Sequence, residues 1–132
     1  MRKTFRFVAL FVILAATTTL AFTQERITFK RGAKETVVTG NLTGYKSRKV
    51  FIVRVRRGQT LRTEQVKSNS SDRYVTVFIK APNGETVGDS DASCNNRREI
   101  SRTRAGDYRI EVVECPKADA WRGSFRLKVR VD

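Results

Sequence analysis

The sequence predicts an all-β protein: a single antiparallel β-sandwich, jelly-roll-like and of about eight strands, preceded by a signal-peptide helix. Three observations carry this. After residue 23, apolar and polar residues alternate with the period of two that puts every second side chain on the same face of a strand. The alternating runs are short, rich in Val, Ile, Thr, Phe and Tyr, and broken by Gly, Pro, Asn or Ser at intervals of roughly eight to twelve residues. No run beyond the N-terminal segment shows the 3.6-residue recurrence of an amphipathic helix.

The N-terminal segment has the three parts of an export signal. Arg2, Lys3 and Arg6 give a positive start, Phe7 to Ala21 is uncharged and apolar, and small residues follow at Thr19, Ala21 and Thr23. The apolar run is shorter than the roughly 18 to 20 residues that span a bilayer. This divides the chain into a signal over 1–23 and one β-sandwich domain over 24–132, in the periplasm or outside the cell, with no membrane span after cleavage. A retained anchor is the alternative. No cysteine follows the apolar run closely, which argues against a lipid-anchored form.

The chain carries 27 Lys and Arg against 13 Asp and Glu, a net charge of +14. Arg2, Lys3 and Arg6 contribute three of these, leaving +11 on the domain. Such a field attracts anionic polymers and acidic proteins. The competing reading is that interspersed Lys and Arg serve only solubility and edge protection.

The elements follow in order. Ile27 and Phe29 alternate with Arg26, Thr28 and Lys30 in a first strand that stops near Gly32. Thr36 to Leu42 forms a second, closed by Gly44. Val50 to Val55 is the most apolar: Phe51, Val53 and Val55 share one face, Val50, Ile52 and Arg54 the other, so cover on both sides places it centrally. Arg57-Gly58-Gln59 turns into a weaker strand over Thr60 to Val66, followed by a polar loop at Ser68 to Ser71. Tyr74 to Lys80 faces Val75, Val77 and Ile79 inward. Pro82-Asn83-Gly84 is a turn, because proline presets φ and Asn-Gly accepts the left-handed conformation, and Glu85 to Val87 pairs back across it. Gly88 to Arg97 is a polar loop, and Glu99 to Thr103 a strand with Ile100 inward. Ala105-Gly106-Asp107 turns into Tyr108, Ile110 and Val112, Cys115-Pro116 ends that strand, and Lys117 to Gly123 is a second loop. The last strand turns Phe125, Leu127, Val129 and Val131 inward.

Cys94 and Cys115 are the only cysteines, one in each long loop. In an oxidising compartment they are expected to form a disulfide, closing a loop of about 22 residues and contributing roughly 3 kcal/mol on the chain-entropy account. A catalytic thiol would need a base or a depressed pKa, and the chain has no histidine. The bridge would tie both loops together at one end of the sandwich. Trp121 in the second loop has two readings: an exposed anchor for a partner, or a cap folded over the core.

Thr39-Gly40-Asn41-Leu42, Arg54-Val55-Arg56-Arg57-Gly58-Gln59-Thr60-Leu61, Ala81-Pro82-Asn83-Gly84, Arg104-Ala105-Gly106-Asp107-Tyr108 and the closing alternating strand together resemble two groups of exported bacterial proteins. These are the periplasmic inhibitors of i-type and g-type lysozymes and the prepeptidase C-terminal domain, both small β-sandwiches. The resemblance covers most of the chain after residue 23. It implies a stand-alone inhibitor that enters a lysozyme cleft with a loop carrying a Ser-Gly-x-x-Tyr-like motif. The corresponding segment here runs from Asp89 to Asn96; Ser90 and Ser93 are present, and neither the Gly nor the Tyr follows. The candidate partner loop is therefore Ser90, Asp91, Ser93, Asn95 and Asn96, with Trp121 beside it. The high positive charge is a second departure, since many lysozymes are themselves basic.

Without histidine there is no Ser-His-Asp or Cys-His arrangement and no ordinary zinc site. Asp89 and Asp91, with Asn95 or Asn96 oxygens, are the calcium alternative, but Cys94 stands where an EF-hand needs glycine and Ile100 where it needs glutamate. The expectation is a protein that is not an enzyme and carries no cofactor or metal.

The outward row of the last strand, Arg126, Lys128 and Arg130, should project at spacings of about 7 Å. Arg26 and Lys30 would extend it if the first and last strands were neighbours. The row holds no aromatic for base stacking, which argues against specific nucleic-acid recognition. Two functions follow: an exported non-catalytic binding protein of the cell envelope, lysozyme-inhibitor-like, or a structural, anionic-polymer or carbohydrate-binding module without inhibitory activity. The partner is correspondingly an extracytoplasmic protein, a lysozyme on the first reading, or an anionic envelope polymer.

Overall fold

The computed structural model describes residues 24–67, 73–88, 94–117 and 119–132. Residues 1–23, 68–72, 89–93 and 118, and with them the expected signal-peptide helix, lie outside these.

The strands are β1 (Gln24–Arg26), β2 (Glu35–Thr43), β3 (Lys49–Val55), β4 (Leu61–Gln65), β5 (Val75–Lys80), β6 (Thr86–Val87), β7 (Arg97–Ile100), β8 (Gly106–Glu114) and β9 (Arg122–Val131). They form two sheets, β1-β3-β8-β5-β6 and β2-β9-β4-β7. Apart from β1, the eight strands follow jelly-roll order, successive strands changing sheet except for β5 and β6, which form a hairpin within one sheet, and every neighbouring pair is antiparallel. Among the described residues only β1, alongside β3, pairs in parallel.

Period-two alternation becomes burial. From one sheet Phe51, Val53, Val75, Val77, Ile79, Ile110 and Val112 are fully buried, and they meet Leu42, Leu61, Leu127 and Val129 of the other. Each such side chain stabilises the fold by about 1.5–3 kcal/mol relative to exposure. Phe51 and Phe125 join the sheets edge-to-face, with ring centroids 6.3 Å apart. β3 lies between β1 and β8 in the interior of its sheet, and Val50 on its outward face is buried as well.

Three sequence expectations are corrected. The first strand lies at Gln24–Arg26, not across residues 26–30. Ile27 makes one further backbone bond, to the Ile52 carbonyl at 2.8 Å, and the chain then leaves to cross to the second sheet. Ile27 and Phe29 still pack into the core, so their alternation reports burial without a ladder. Next, β1 sits in the sheet opposite β9, whose neighbours are β2 and β4, so Arg26 and Lys30 do not extend the basic row. Finally, β7 occupies Arg97–Ile100 instead of Glu99 to Thr103, because Arg102 takes φ +53° and Thr103 turns inward to bond the β3–β4 turn.

Candidate functional site

The loops at the β8–β9 end are assembled around two polar residues that the strand pattern places inward. Gln65 ends β4, following the inward Leu61 and Thr63, and Glu114 ends β8, following the inward Tyr108, Ile110 and Val112, so each must find partners once buried. The Gln65 amide donates to the Arg73 carbonyl at 2.7 Å, and its Oε1 accepts the Val75 N–H at 3.1 Å and the Asn96 side-chain amide at 3.3 Å. It thereby sets where the chain enters β5 and where residues 94–96 cross between the sheets. Glu114 accepts the Gly44 N–H at 2.8 Å through Oε1 and the Trp121 N–H at 3.3 Å through Oε2. These were missed from sequence, although a polar residue at an inward position was the available signal.

Beside Glu114, Cys115 is disulfide-bonded to Cys94, with Cα atoms 4.5 Å apart. The Cys94 N–H donates to the Thr76 hydroxyl at 2.8 Å, and the Cys115 N–H to the Tyr74 carbonyl at 3.3 Å. The two loops therefore share one fixed base. Of the candidate partner loop, Ser90, Asp91 and Ser93 lie outside the described residues, as does Asp89 of the calcium alternative. Asn95 and Asn96 are engaged in the frame: the Asn95 carbonyl accepts from Val77, its side chain from the Arg97 N–H, and the Asn96 carbonyl from Gln65. Trp121 is half-buried and packs against the core cluster. Two aromatics not singled out from sequence, Tyr45 and Tyr74, are each 52 % exposed at this end, and Lys67 lies 3.8 Å over the Tyr74 ring. A depression of about 320 Å³ is lined here by Gln65, Arg73, Trp121, Arg122, Phe125 and Arg126. The end thus combines a disulfide-anchored base, aromatic surface and positive charge.

The basic row occupies the outward face of the second sheet, and register determines its company. Across β2, β9, β4 and β7 one line reads Glu35, Arg130, Arg62, Glu99, and the next reads Val37, Lys128, Glu64, Arg97. Arg130 bonds Asp132 at 2.8 Å and lies 3.5 Å from Glu35; Arg62 pairs with Glu99 at 2.9 Å and Asp132 at 2.6 Å; Lys128 lies 3.7 Å from Glu64, which also bonds Arg97. The hydrogen bond from Arg97 holds the Glu64 carboxyl below the usual carboxylate range, and that from Arg130 does the same for Asp132. Cations of this face are interleaved with carboxylates, a pattern invisible until the strands are set side by side.

The fold and this site define a class: an eight-stranded jelly-roll sandwich with an added edge strand and a disulfide-tied, aromatic and basic loop end. No protein-family model and no curated protein matches the chain. Among solved structures it is similar to PliG of Aeromonas hydrophila, a periplasmic lysozyme inhibitor of g-type lysozyme, at TM-score 0.66 and 20 % identity, covering 83 % of this chain and 96 % of that one. It is similar also to PliG of Salmonella Typhimurium, at TM-score 0.59 and 13 % identity over 83 % and 97 % of the chains. The pre-peptidase C-terminal domain of Bacillus anthracis collagenase follows the same fold, at TM-score 0.53 and 16 % identity over 83 % and 95 %.

Proposed function

We propose that this chain is an exported, non-catalytic binding protein of the cell envelope that acts as a lysozyme inhibitor, engaging the enzyme with its disulfide-tied end. The observation that carries this reading is the extent of the likeness: nearly the whole of each PliG chain is matched, by 83 % of this one. The signal-like residues 1–23 support export and agree with the periplasmic setting of those proteins.

The chemistry of the end supports the same partner. Glycosidases of this kind work with carboxyl groups in the cleft, so the cleft is locally anionic even on a basic enzyme. Tyr45 and Tyr74 supply rigid contact area at low entropy cost, and Lys67, Arg73 and Arg122 supply charge of the complementary sign. The missing Ser-Gly-x-x-Tyr pattern means that these residues would take over part of the contact.

The test is inhibition of purified g-type and i-type lysozymes at near one-to-one ratios, read by clearing of cell-wall suspensions. Suppression of at least one enzyme is expected, with Tyr45→Ala and Tyr74→Ala weakening it while the unfolding midpoint stays put. Full lytic activity across the panel at excess protein rejects the reading.

A further inference from the structure

Lys128, Arg130, Arg62 and Arg97 on the second sheet's outward face have carboxylate partners, whereas four arginines on two loops at the opposite end from the disulfide do not. Arg56 and Arg57 in the β3–β4 turn and Arg102 and Arg104 in the β7–β8 loop are all exposed. No ion pair joins any of the four to a carboxylate among the described residues, whereas Arg26, Arg62, Arg97, Lys128 and Arg130 are all paired. The acids near this end are engaged: Asp107 takes two hydrogen bonds from Arg26, at 2.8 and 3.0 Å, and Asp132 is held by Arg62 and Arg130. Glu85, on the β5–β6 turn, is the exception.

The two arginine-bearing loops form one frame. The Gly58 N–H donates to the Thr103 carbonyl at 2.8 Å and the Thr103 N–H to the Gln59 carbonyl at 3.1 Å. The buried Thr103 hydroxyl faces the Arg56 and Gln59 carbonyls at 2.7 and 2.9 Å. The Arg56 N–H donates to the Gln59 side chain at 2.7 Å, and the Arg104 N–H to the Tyr108 hydroxyl at 3.0 Å. Arg102, between them, holds φ +53°, a conformation that favours glycine. A strained arginine at the tip of a pinned loop aims a guanidinium where a glycine would give an easier turn.

We propose that this end is a docking surface for a phosphate-bearing polyanion of the cell envelope, with Arg56, Arg57, Arg102 and Arg104 pairing in forked fashion with successive phosphates. Guanidinium forks match phosphate oxygens, and four of them with no counter-charge of their own set up a field that a polyanion relieves. Preformed loops lower the ordering cost of binding. The exposed tyrosines lie at the other end, so this surface offers phosphate contacts without aromatic platforms for bases, which favours a phosphate polymer over nucleic acid. The proposal is independent of the inhibitor reading, which uses the opposite end.

The test titrates the purified protein, over a salt series, with long-chain inorganic polyphosphate and separately with vesicles of phosphatidylglycerol and phosphatidylcholine. Binding at low salt that falls steeply as salt rises is expected. Replacing the four arginines together, Arg56→Gln, Arg57→Gln, Arg102→Gly and Arg104→Gln, should weaken it by about tenfold or more and reduce the log–log salt slope by about three. The vesicle arm distinguishes lipid-borne phosphate from a soluble polymer. Arg102→Gly alone should weaken binding yet raise the thermal midpoint, because glycine accepts the left-handed backbone. Lys128→Gln and Arg130→Gln together should leave affinity within about twofold, their charges being matched already by Glu64, Glu35 and Asp132. No binding to either phosphate probe, parent-like binding by the four-arginine variant, or an equal loss in the sheet-face variant overturns the proposal. Tighter binding to duplex DNA than to polyphosphate at equal phosphate concentration would assign the surface to nucleic acid instead.

Discussion

The carboxylate of Glu114 accepts the backbone N–H of Trp121 at 3.3 Å while its other oxygen takes the N–H of Gly44 at 2.8 Å, so one buried side chain holds the β2–β3 and β8–β9 loops together. Glu114→Ala would leave both donors without this acceptor and should cost about 2–4 kcal/mol. Glu114→Gln retains one acceptor oxygen and should cost less. Urea unfolding measures both, and the single tryptophan reports the site directly, since loosening of Trp121 shifts its emission to the red. An Ala variant within about 0.5 kcal/mol of the parent would show that water replaces the carboxylate at no cost.

The disulfide yields a second expectation. Protein recovered from the periplasm or medium should contain a Cys94–Cys115 cross-linked peptide and no alkylatable thiol. Replacing both cysteines by serine should lower stability by roughly 3 kcal/mol, with loss of order concentrated in the segments joined by the bridge. Two free thiols in exported material would contradict the bond.

Gly40 is required for packing and not for its backbone angle. It pairs across the sheet with Phe125, and a Cβ there would stand 2.5 Å from the Phe125 ring and 2.9 Å from Lys49 Cγ. Because Phe125 is buried against Phe51, the ring has little room to yield. Gly40→Ala should therefore destabilise by about 1–3 kcal/mol through overpacking. Calorimetry checks this, and an unchanged midpoint would mean that the ring re-seats freely.

Acid should expose the surface ion pairs. The hydrogen bond from Arg26 holds the Asp107 carboxyl below its ordinary value, and Glu64 and Asp132 are depressed likewise by Arg97 and Arg130. For groups depressed in the folded state, stabilisation is complete above the unfolded-state pKa and is lost as pH falls through the folded one. The thermal midpoint should thus be flat near neutrality and fall below about pH 4. These pairs are exposed, so the fall should be modest and shrink with added salt. Asp107→Asn should flatten the acid limb of the profile; an unchanged limb would place the sensitivity elsewhere.

Alternation with period two determined most of the strands, though not the bounds of β1 and β7, together with the inward faces of β3, β5, β8 and β9 and the sandwich itself, because burial on one face of a strand is written locally in every second residue. Turn chemistry likewise placed Gly58 and Pro82-Asn83-Gly84, whereas Gly106 and Asp107, expected in a turn, already pair with Val55 and Arg54 at the start of β8. Which strands lie side by side is not local. Pairing β2 and β4 with β9 set Glu35 and Glu64 against Arg130 and Lys128, and sent Arg26 to Asp107 in the other sheet. Thr103 reads as the last residue of a strand until the β3–β4 turn comes within bonding reach, and nothing local in the sequence shows the buried donors that converge on Glu114 and Gln65. Charge compensation, hydrogen-bond satisfaction and the gathering of Arg56, Arg57, Arg102 and Arg104 at one end depend on contacts between residues far apart in the chain. Those contacts were decided by tertiary structure alone.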